Sequence, residues 1–328
     1  MSLTTQTFCS RIAAFLVFAV CGEAIAADPA VEIESDADAG ATNVSIDGEQ
    51  AFVYQHGEVD LPHFHPLNSP FGKNMLVQRT NPYPHHRALW FADTVQLKGK
   101  RRVSFYNAYY TGEGQNKQHQ APFNDHIRQV SLRVDKQAED AANVQRYTER
   151  LVWEMDGDTP VLDELREVRI VALGDGEYFL DMEFTVAANY DDVDIVSDDV
   201  HYAWPYLRMN KTFSVEGGNG AITNSAGGVN QAGTHNQQAT WVDYSAKVDG
   251  ETSGLAVFSS ADNKHPHRWL TRDYGTFGPR RINELSGKKF TLAKGESLST
   301  RVGILVHRGD VQDGKVAERY KAYCDGEL

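Results

Sequence analysis

Cysteine is scarce in this sequence. Its 328 residues include three cysteines, Cys9, Cys21 and Cys324. The first two lie in an N-terminal segment with the features of an export signal, so removal of that segment would leave Cys324 as the only thiol. An internal disulfide is then excluded, and the chain is long enough to fold around a hydrophobic core without one.

Long apolar runs are also lacking. The only marked one, residues 12–21, follows Arg11, and Ala24-Ile25-Ala26 supplies the small residues of a cleavage site. These features predict a Sec-type signal peptide at residues 1–26 and a periplasmic or secreted protein. A retained membrane anchor is the alternative, but this run is too short for a helix of ~20 residues, and no membrane span is predicted elsewhere.

Positive charge is in deficit. The formal net charge is −13, which argues against nucleic acid as a partner because phosphate binding needs a basic face. A local basic pocket remains open, since Arg268, Arg272, Arg280 and Arg281 lie close together in the sequence. The oligomeric state is not indicated by any pattern.

Three common catalytic and nucleotide-binding motifs are missing. There is no Gly-x-Gly-x-x-Gly after a strand, no Walker loop and no Gly-x-Ser-x-Gly nucleophile elbow. Nothing in the sequence requires a cofactor, although a divalent metal is one of the open alternatives. Any function must therefore depend on residues brought together from separate loops.

What the sequence does contain is period-two alternation of apolar and charged residues in successive runs. These runs, separated by turns such as Gly174-Asp175-Gly176, predict antiparallel strands with one wet face. The predicted strands in this part of the chain are 131–134, 144–155, 161–173 and 178–187. Their charged residues are interpreted as cross-strand surface pairs, namely Arg146, Glu149, Arg150, Glu164, Glu167 and Arg169.

The whole pattern predicts an all-β protein, a large antiparallel β-sandwich with a short C-terminal helix. Only residues 311–323 show helical spacing. Residues 27–49 are interpreted as a flexible lead-in or an edge strand, and residues 50–328 as a single domain because no linker interrupts them.

Histidine, arginine and aromatic residues are concentrated on predicted loops. His63 and His65 precede a turn, and His85-His86-Arg87 leads into Trp90. Side chains of this kind carry protons, bind anions and stack on sugars, and loops are where sites usually lie. The Gly/Gln/Asn-rich segment 112–120 is interpreted as a loop that closes over a ligand, with disorder as the alternative.

Five ordered motifs carry a resemblance to a known family. They are residues 63–67, 84–91, 241–244, 269–275 and 306–310. Together they resemble the bacterial family labelled methane-oxygenase PmoA-like, over about residues 50–325, with Ala88 where glycine is commoner. The label implies methane oxidation, which needs several transmembrane helices that this sequence lacks. The family is similar instead to galactose-mutarotase-like β-sandwiches, and this implies a super-sandwich fold and a sugar ligand.

By that analogy the motif loops line one concave face that binds a sugar. The predicted catalytic residues are His85, His86, Arg87, Arg272 and Tyr274, with the histidines as acid and base and the arginines holding the substrate. The predicted substrate-binding residues are Trp90, His201, Trp204, Asp243 and Trp269. For Asp243, orientation of a histidine and a plain strand-surface position are both open.

A metal site is a further alternative. His63 and His65 are two apart, and a strand would point both imidazoles to the same face, as paired ligands require. Chance and a structural role before Pro66 explain the same spacing.

The leading functional hypothesis is a secreted carbohydrate-active enzyme, a hydrolase or lyase, that cleaves an oligosaccharide or other glycoside. A non-catalytic glycan-binding module is the second hypothesis. An aldose epimerase is the third, and it needs a carboxylate base that the sequence does not single out.

Overall fold

A computed structural model gives the fold of this chain. It describes residues 30–57, 61–81, 85–107, 125–135, 142–196, 203–263, 266–280 and 289–328. The predicted signal peptide, the predicted closing loop at 112–120 and His201 lie outside the described residues.

Strands dominate the described part of the chain. In chain order they are β1 (Val31–Asp36), β2 (Ala41–Ile46), β3 (Glu49–Gln55), β4 (His63–Leu67), β5 (Leu89–Trp90), β6 (Thr94–Leu97), β7 (Arg102–Ser104), β8 (His126–Val134), β9 (Val144–Met155), β10 (Thr159–Gly174), β11 (Glu177–Ala187), β12 (Val193–Ile195), β13 (Tyr206–Arg208), β14 (Ala221–Asn224), β15 (Trp241–Val248), β16 (Glu251–Ser259), β17 (Trp269–Thr271), β18 (Thr276–Pro279), β19 (Phe290–Leu292) and β20 (Ser297–Arg308). The helices are α1 (Asn230–Thr234) and α2 (Val316–Asp325).

These strands form two large antiparallel sheets and a small one. The first sheet has the order β1-β2-β3-β4-β5-β13-β18-β17, and the second has the order β14-β15-β16-β20-β11-β10-β9-β8. The small sheet has the order β19-β12-β6-β7. The predicted all-β antiparallel sandwich with a short C-terminal helix is therefore confirmed. Part of the predicted lead-in forms β1, the edge of the first sheet, and β2.

The alternating runs of the sequence became the long central strands. Residues 144–155 form β9, and the predicted strand at 161–173 lies within β10. Asp156 and Asp175 in the intervening turns have positive φ angles of 56° and 53°, which the short polar side chain of Asp tolerates. Sequence periodicity located these strands because each has one face in the core and one in water.

The core lies between the two large sheets. Phe64, Leu89, Leu207 and Phe277 point from the first sheet into it and are almost fully buried. The ring of Phe277 lies 4.4 Å from that of Tyr244 in β15, so the two sheets are in direct contact. Burial of such side chains is the main favourable term in folding.

A buried charged network crosses this core, and it corrects one prediction. Glu149 and Glu164, predicted on the surface, are 0% and 2% exposed. Arg166 donates to Glu164 from Nε and Nη2 at 3.0 and 2.7 Å and to the Tyr54 hydroxyl at 2.7 Å. Tyr54 in turn donates to Glu149 at 2.6 Å, and the indole of Trp153 donates to Glu164 at 2.8 Å. The charges sit on the core face because each is matched within the network.

The other predicted surface charges keep their place. Arg146, Arg150 and Glu167 are exposed, and Arg169 is half-buried. They lie on the outer face of the second sheet.

The C-terminal helix begins later than predicted. Helical spacing indicated 311–323, whereas α2 starts at Val316. Before it, the carboxylate of Asp310 accepts from the backbone of Gln312 at 2.8 Å and of Asp313 at 3.1 Å, and Lys315 has a left-handed φ of 48°. A left-handed residue cannot continue an α-helix, so the first turn forms after it. The short α1 was not predicted.

Helix α2 covers a second, smaller core on the outer face of the second sheet. Val316 and Tyr323 pack there with Phe179 and Phe258. Within the described residues, neither helix has the length and apolar character that would let it cross a bilayer.

Candidate functional site

The predicted His loop enters the outer face of the first sheet. Trp90 of β5 pairs with His63 of β4 on one side and with Tyr206 of β13 on the other. Directly opposed residues share a face of a sheet, and the neighbours Leu89 and Phe64 face the core. His63, Trp90 and Tyr206 therefore point away from the core, on the outer face.

An aromatic floor covers part of this face. The rings of Trp90 and Tyr206 are stacked with centroids 4.7 Å apart. Tyr106, from the 3-10 turn Phe105–Asn107, lies 5.7 Å from Trp90 and 5.0 Å from Tyr206. Trp90 is only 1% exposed, and its buried indole N–H has no hydrogen-bond acceptor in the part of the chain that the structure describes.

Two histidines lie beside this floor. The ring centroids of His85 and His86 are 4.5 Å apart, and His86 is 5.7 Å from Trp90. Burial lowers the pKa of His86, and the positive charges of His85, Arg208 and Arg87 lower it further, to about 2. The imidazole of His86 is therefore neutral near pH 7.

Arg208 links the histidines to the next strand. It follows Tyr206 by two residues and so lies on the same face, and its Nη1 donates to the hydroxyl of Thr276 at 2.6 Å. Its guanidinium carbon is 4.6 Å from the ring centroid of Tyr274, a cation–π contact. Arg208 thereby brings the predicted Tyr274 together with His86.

Arg272 belongs to a second group on the same face. Leu270 and Gly278 are paired across β17 and β18 on the face opposite Phe277, and the alternation continues to Arg272 and Arg280. Both arginines lie near His235, because their charges, after burial, lower the pKa of that histidine to about 4. His235 Nδ1 accepts from the backbone of Thr271 at 3.3 Å. The structure thus places Arg272 on the same face as His86.

The two groups have a buried floor and a more accessible rim. His86, Arg87 and Arg208 are 6%, 3% and 8% exposed. His85, Arg272 and Tyr274 are half-buried and form the rim. A ligand that contacts the rim approaches a floor with a positive potential.

Two predicted substrate-binding residues are corrected. Trp204 is 1% exposed, its indole N–H donates to Asp93 at 2.9 Å, and its ring is 5.0 Å from Phe91. Trp269 is fully buried, and its indole donates to the carbonyl of Ala239 at 2.8 Å. Both belong to the core, where a sugar cannot reach them, and His201 lies outside the described residues.

Asp243 is likewise not a substrate-binding residue. It lies in β15 of the second sheet with no exposed surface, and it accepts from Nε2 of the buried His307 at 2.8 Å and from Ser245 at 2.5 Å. Gly254 and Gly314 pack against the His307 ring so closely that a Cβ would come within 2.4 and 2.1 Å of it. Asp243 therefore orients a histidine, as one alternative proposed, but inside the protein.

The histidines of β4 do not fit a metal site. Nδ1 of His63 is 2.6 Å from the carbonyl of Leu61, to which it donates. Both ring nitrogens of His65 are engaged, with the side-chain amides of Asn74 at 3.2 Å and Gln78 at 3.1 Å. Nowhere in the described ranges do three His, Cys, Asp or Glu side chains converge as metal ligands.

Sequence reasoning missed several members of the site. Tyr106, Tyr206, Arg208 and His235 were not selected, although the first three come from polar aromatic segments that break the alternation. That break was the available signal, because an aromatic residue beside a charged one on a short strand does not fit a simple core face.

Comparisons with solved structures give distant likenesses. The GH36 α-galactosidase AgaB from Geobacillus stearothermophilus matches with a TM-score of 0.46 and 8% identity, over 85% of this chain and 41% of that chain. An α-galactosidase from Lactobacillus brevis matches with a TM-score of 0.42 and 9% identity, over 86% and 40%. A polysaccharide lyase matches with a TM-score of 0.34 and 14% identity, over 88% and 34%. The chain spans about two fifths of the two galactosidases, and likenesses this distant carry no argument about activity.

A family model gives the clearer relationship. No curated protein matches the sequence. The model of DUF6807, described as a family of unknown function, matches residues 41–321, and the PmoA label expected from the sequence motifs is not confirmed. Because the match extends over most of the sandwich and over all the residues of the candidate site, the chain belongs to the DUF6807 family.

Proposed function

We propose that this protein is a carbohydrate-active enzyme that cleaves a glycoside on the outer face of the first sheet. The observation that carries the proposal is the convergence there of His85 and His86, Arg208 with Tyr274, and the stacked rings of Trp90 and Tyr206. These residues come from three segments far apart in the sequence.

The chemistry of this face suits a sugar. Aromatic faces pack against the C–H side of a pyranose ring, and guanidinium groups donate to its hydroxyl or acidic substituents. His86 is neutral and is thus able to accept a proton, while the half-buried His85 beside it is placed to exchange one with solvent. A base and an acid at adjacent positions are what glycoside cleavage requires.

The test is turnover of a broad panel of oligosaccharides, read by mass spectrometry. We expect His86→Ala and His86→Gln to abolish turnover, while circular dichroism and thermal unfolding show an intact fold. Arg146→Ala, an exposed change on the other sheet, should keep full turnover. Full activity in either His86 variant would contradict the assignment.

A non-catalytic glycan-binding module is the second candidate. The low pKa of His86 favours it, because an imidazole that resists protonation is a weak base. This candidate predicts saturable binding of a glycan to the wild-type protein with no product from any member of the panel.

We also propose that the protein is exported, with residues 1–26 removed. The features that support this are Arg11, the apolar run 12–21 and the small residues before Ala27. The intact mass of the exported protein should correspond to a chain that begins at Ala27, and a mature protein that retains residues 1–26 would contradict the proposal.

A further inference from the structure

The outer face of the first sheet is positively charged in a protein that is acidic as a whole. The net charge is −13, yet Arg87 and Arg208 act on His86 and Arg272 and Arg280 act on His235. Buried guanidinium groups are expensive to desolvate, and arginine is the side chain that binds carboxylates in a planar, bidentate manner. Their placement on the proposed sugar-binding face points to a negatively charged ligand.

The aromatic floor adds an independent sign of a hydrogen-bond acceptor. Trp90 lies between His63 and Tyr206 and is 1% exposed, and the structure gives its indole N–H no acceptor among the described residues. A buried donor without an acceptor costs free energy, and such groups in native proteins call for an explanation. An oxygen of a ligand seated on the Trp90–Tyr206 stack would supply that acceptor.

We propose that the substrate is a glycoside of a carboxylate-bearing sugar, held by Arg87 and Arg208 over the Trp90–Tyr206 stack and cleaved by β-elimination. The proposal rests on the proposed function and narrows it to one substrate class and one reaction. Arg272 on the rim contacts a neighbouring acidic unit of a longer chain.

Elimination is the cleavage that these residue types fit. The C–H bond next to a carboxylate is hard to ionise because the resulting anion carries two negative charges, and two guanidinium groups beside the carboxylate relieve that repulsion. Glycoside hydrolysis, by contrast, typically uses a pair of carboxylic side chains. The site is built around imidazole and guanidinium groups.

The step is balanced by the two histidines. His86 takes the proton from the carbon that bears the carboxylate, and the electron pair of that C–H bond forms a double bond to the neighbouring carbon. The bond from that carbon to the glycosidic oxygen breaks, and His85 gives the oxygen a proton. His85 and His86, with centroids 4.5 Å apart, then re-equilibrate their protons with solvent. No water, oxidant or reductant is consumed.

The test compares three matched oligosaccharides with the wild-type chain: a uronate-containing one, the same one with its carboxyl groups reduced to alcohols, and a neutral one bearing sulfate esters. We expect cleavage of the first alone, with ultraviolet absorbance from the new conjugated double bond and product masses that show no addition of water.

The outcomes separate this inference from the proposed function. Hydrolytic products from any substrate, or cleavage of only the reduced or sulfated one, would overturn β-elimination of uronates while the glycoside-cleaving function stands. No product from any glycan in this set or in the broad panel would overturn both.

A variant series tests the role of the arginines. We expect Arg208→Gln to lower kcat/KM for the uronate substrate by about 100-fold or more, Arg208→Lys to lower it less, and Arg87→Gln to behave like Arg208→Gln. Arg146→Gln is the matched control and should change little, because Arg146 is exposed on the other sheet. Unchanged turnover in a folded Arg208→Gln protein would contradict the proposal, and the reduced substrate provides the same test without any substitution.

Discussion

The buried pair of His307 and Asp243 is the clearest titratable device at the level of single residues. Nε2 of His307 is 2.8 Å from Asp243, and Nδ1 is 3.0 Å from the carbonyl of Arg308. Both partners are acceptors, so both ring nitrogens donate and the ring is an imidazolium. Burial alone would lower the pKa of His307, but the charge of Asp243 and the hydrogen bonds outweigh it, and Glu177 adds to the increase.

This pair makes stability depend on pH. Because the folded-state pKa of His307 is raised, its contribution is fully present below the unfolded pKa of about 6.5 and is lost as the pH rises through the folded pKa. We expect the free energy of unfolding to fall across that window by up to about 1.4 kcal/mol per pH unit from this group. Urea denaturation at several pH values measures the slope.

Removal of the charge provides the control. Asp243→Asn should abolish that part of the slope, because the amide no longer stabilises the imidazolium. An equal slope in the wild type and in Asp243→Asn would assign the pH dependence to other groups.

Arg166 is the second residue whose removal has a sharp expected result. It is 1% exposed and lies between Glu149 and Glu164. Arg166→Ala leaves those carboxylates buried without their cation, so we expect a loss of about 3–5 kcal/mol in the free energy of unfolding. Arg146→Ala, an exposed arginine of the same sheet, should cost no more than about 0.5 kcal/mol. Similar losses in the two variants would show that the network contributes no more than a surface charge.

At the level of elements, α2 is held mainly by one aromatic residue. The ring of Tyr323 lies 5.2 Å from Phe179 and 6.0 Å from Phe258, and its hydroxyl donates to Asp181 at 3.1 Å. We expect Tyr323→Ala to lower the free energy of unfolding by about 3–4 kcal/mol and Tyr323→Phe by about 1 kcal/mol. Chemical denaturation measures both.

Lys321→Ala provides the comparison within the same helix. Its side chain is 79% exposed, so the expected loss is within about 0.5 kcal/mol. If Tyr323→Ala cost no more than this, α2 would not be stabilised by packing on the second sheet.

Elements differ in how far the sequence predicts them. The strands β9, β10 and β11 were located because each alternates over more than ten residues. The strand β5 has only two residues, too few for a period, although the sequence placed a strand there. The parity of a charged residue was harder to predict: Glu149 and Glu164 lie on the core face because Arg166 and Tyr54 match them, and no local pattern reports a partner so distant in sequence.

At the level of the whole molecule, the topology of the first sheet decides which residues meet. The strands β5, β13 and β18 are adjacent, so residues near positions 90, 206 and 276 share one face. The sequence singled out His85, His86, Arg272 and Tyr274 by residue type, but it could not reveal that order of strands. For the same reason it placed Trp204 and Trp269 in the site, whereas both are core residues.

The charge of the whole molecule opposes that of the site, and this gives the salt dependence of binding a definite sign. An anionic sugar approaches a protein of net charge −13 from far away and meets the arginines only at short range. At an ionic strength of ~0.01 M charges act over ~30 Å, and at ~0.15 M over ~8 Å, whereas partly buried contacts are screened much less. We therefore expect the association rate of a uronate oligosaccharide to rise by about twofold or more between these salt concentrations, as measured by stopped flow.

Distant surface charges provide the matched control for this effect. Glu32, Glu34 and Asp38 are exposed near the edge of the first sheet. Their replacement by Gln, Gln and Asn removes three negative charges, so it should raise the association rate at low salt and leave a smaller increase on adding salt. An association rate that falls with salt in both proteins would mean that the arginines already dominate at long range, and the overall negative charge would then have no part in how the ligand approaches.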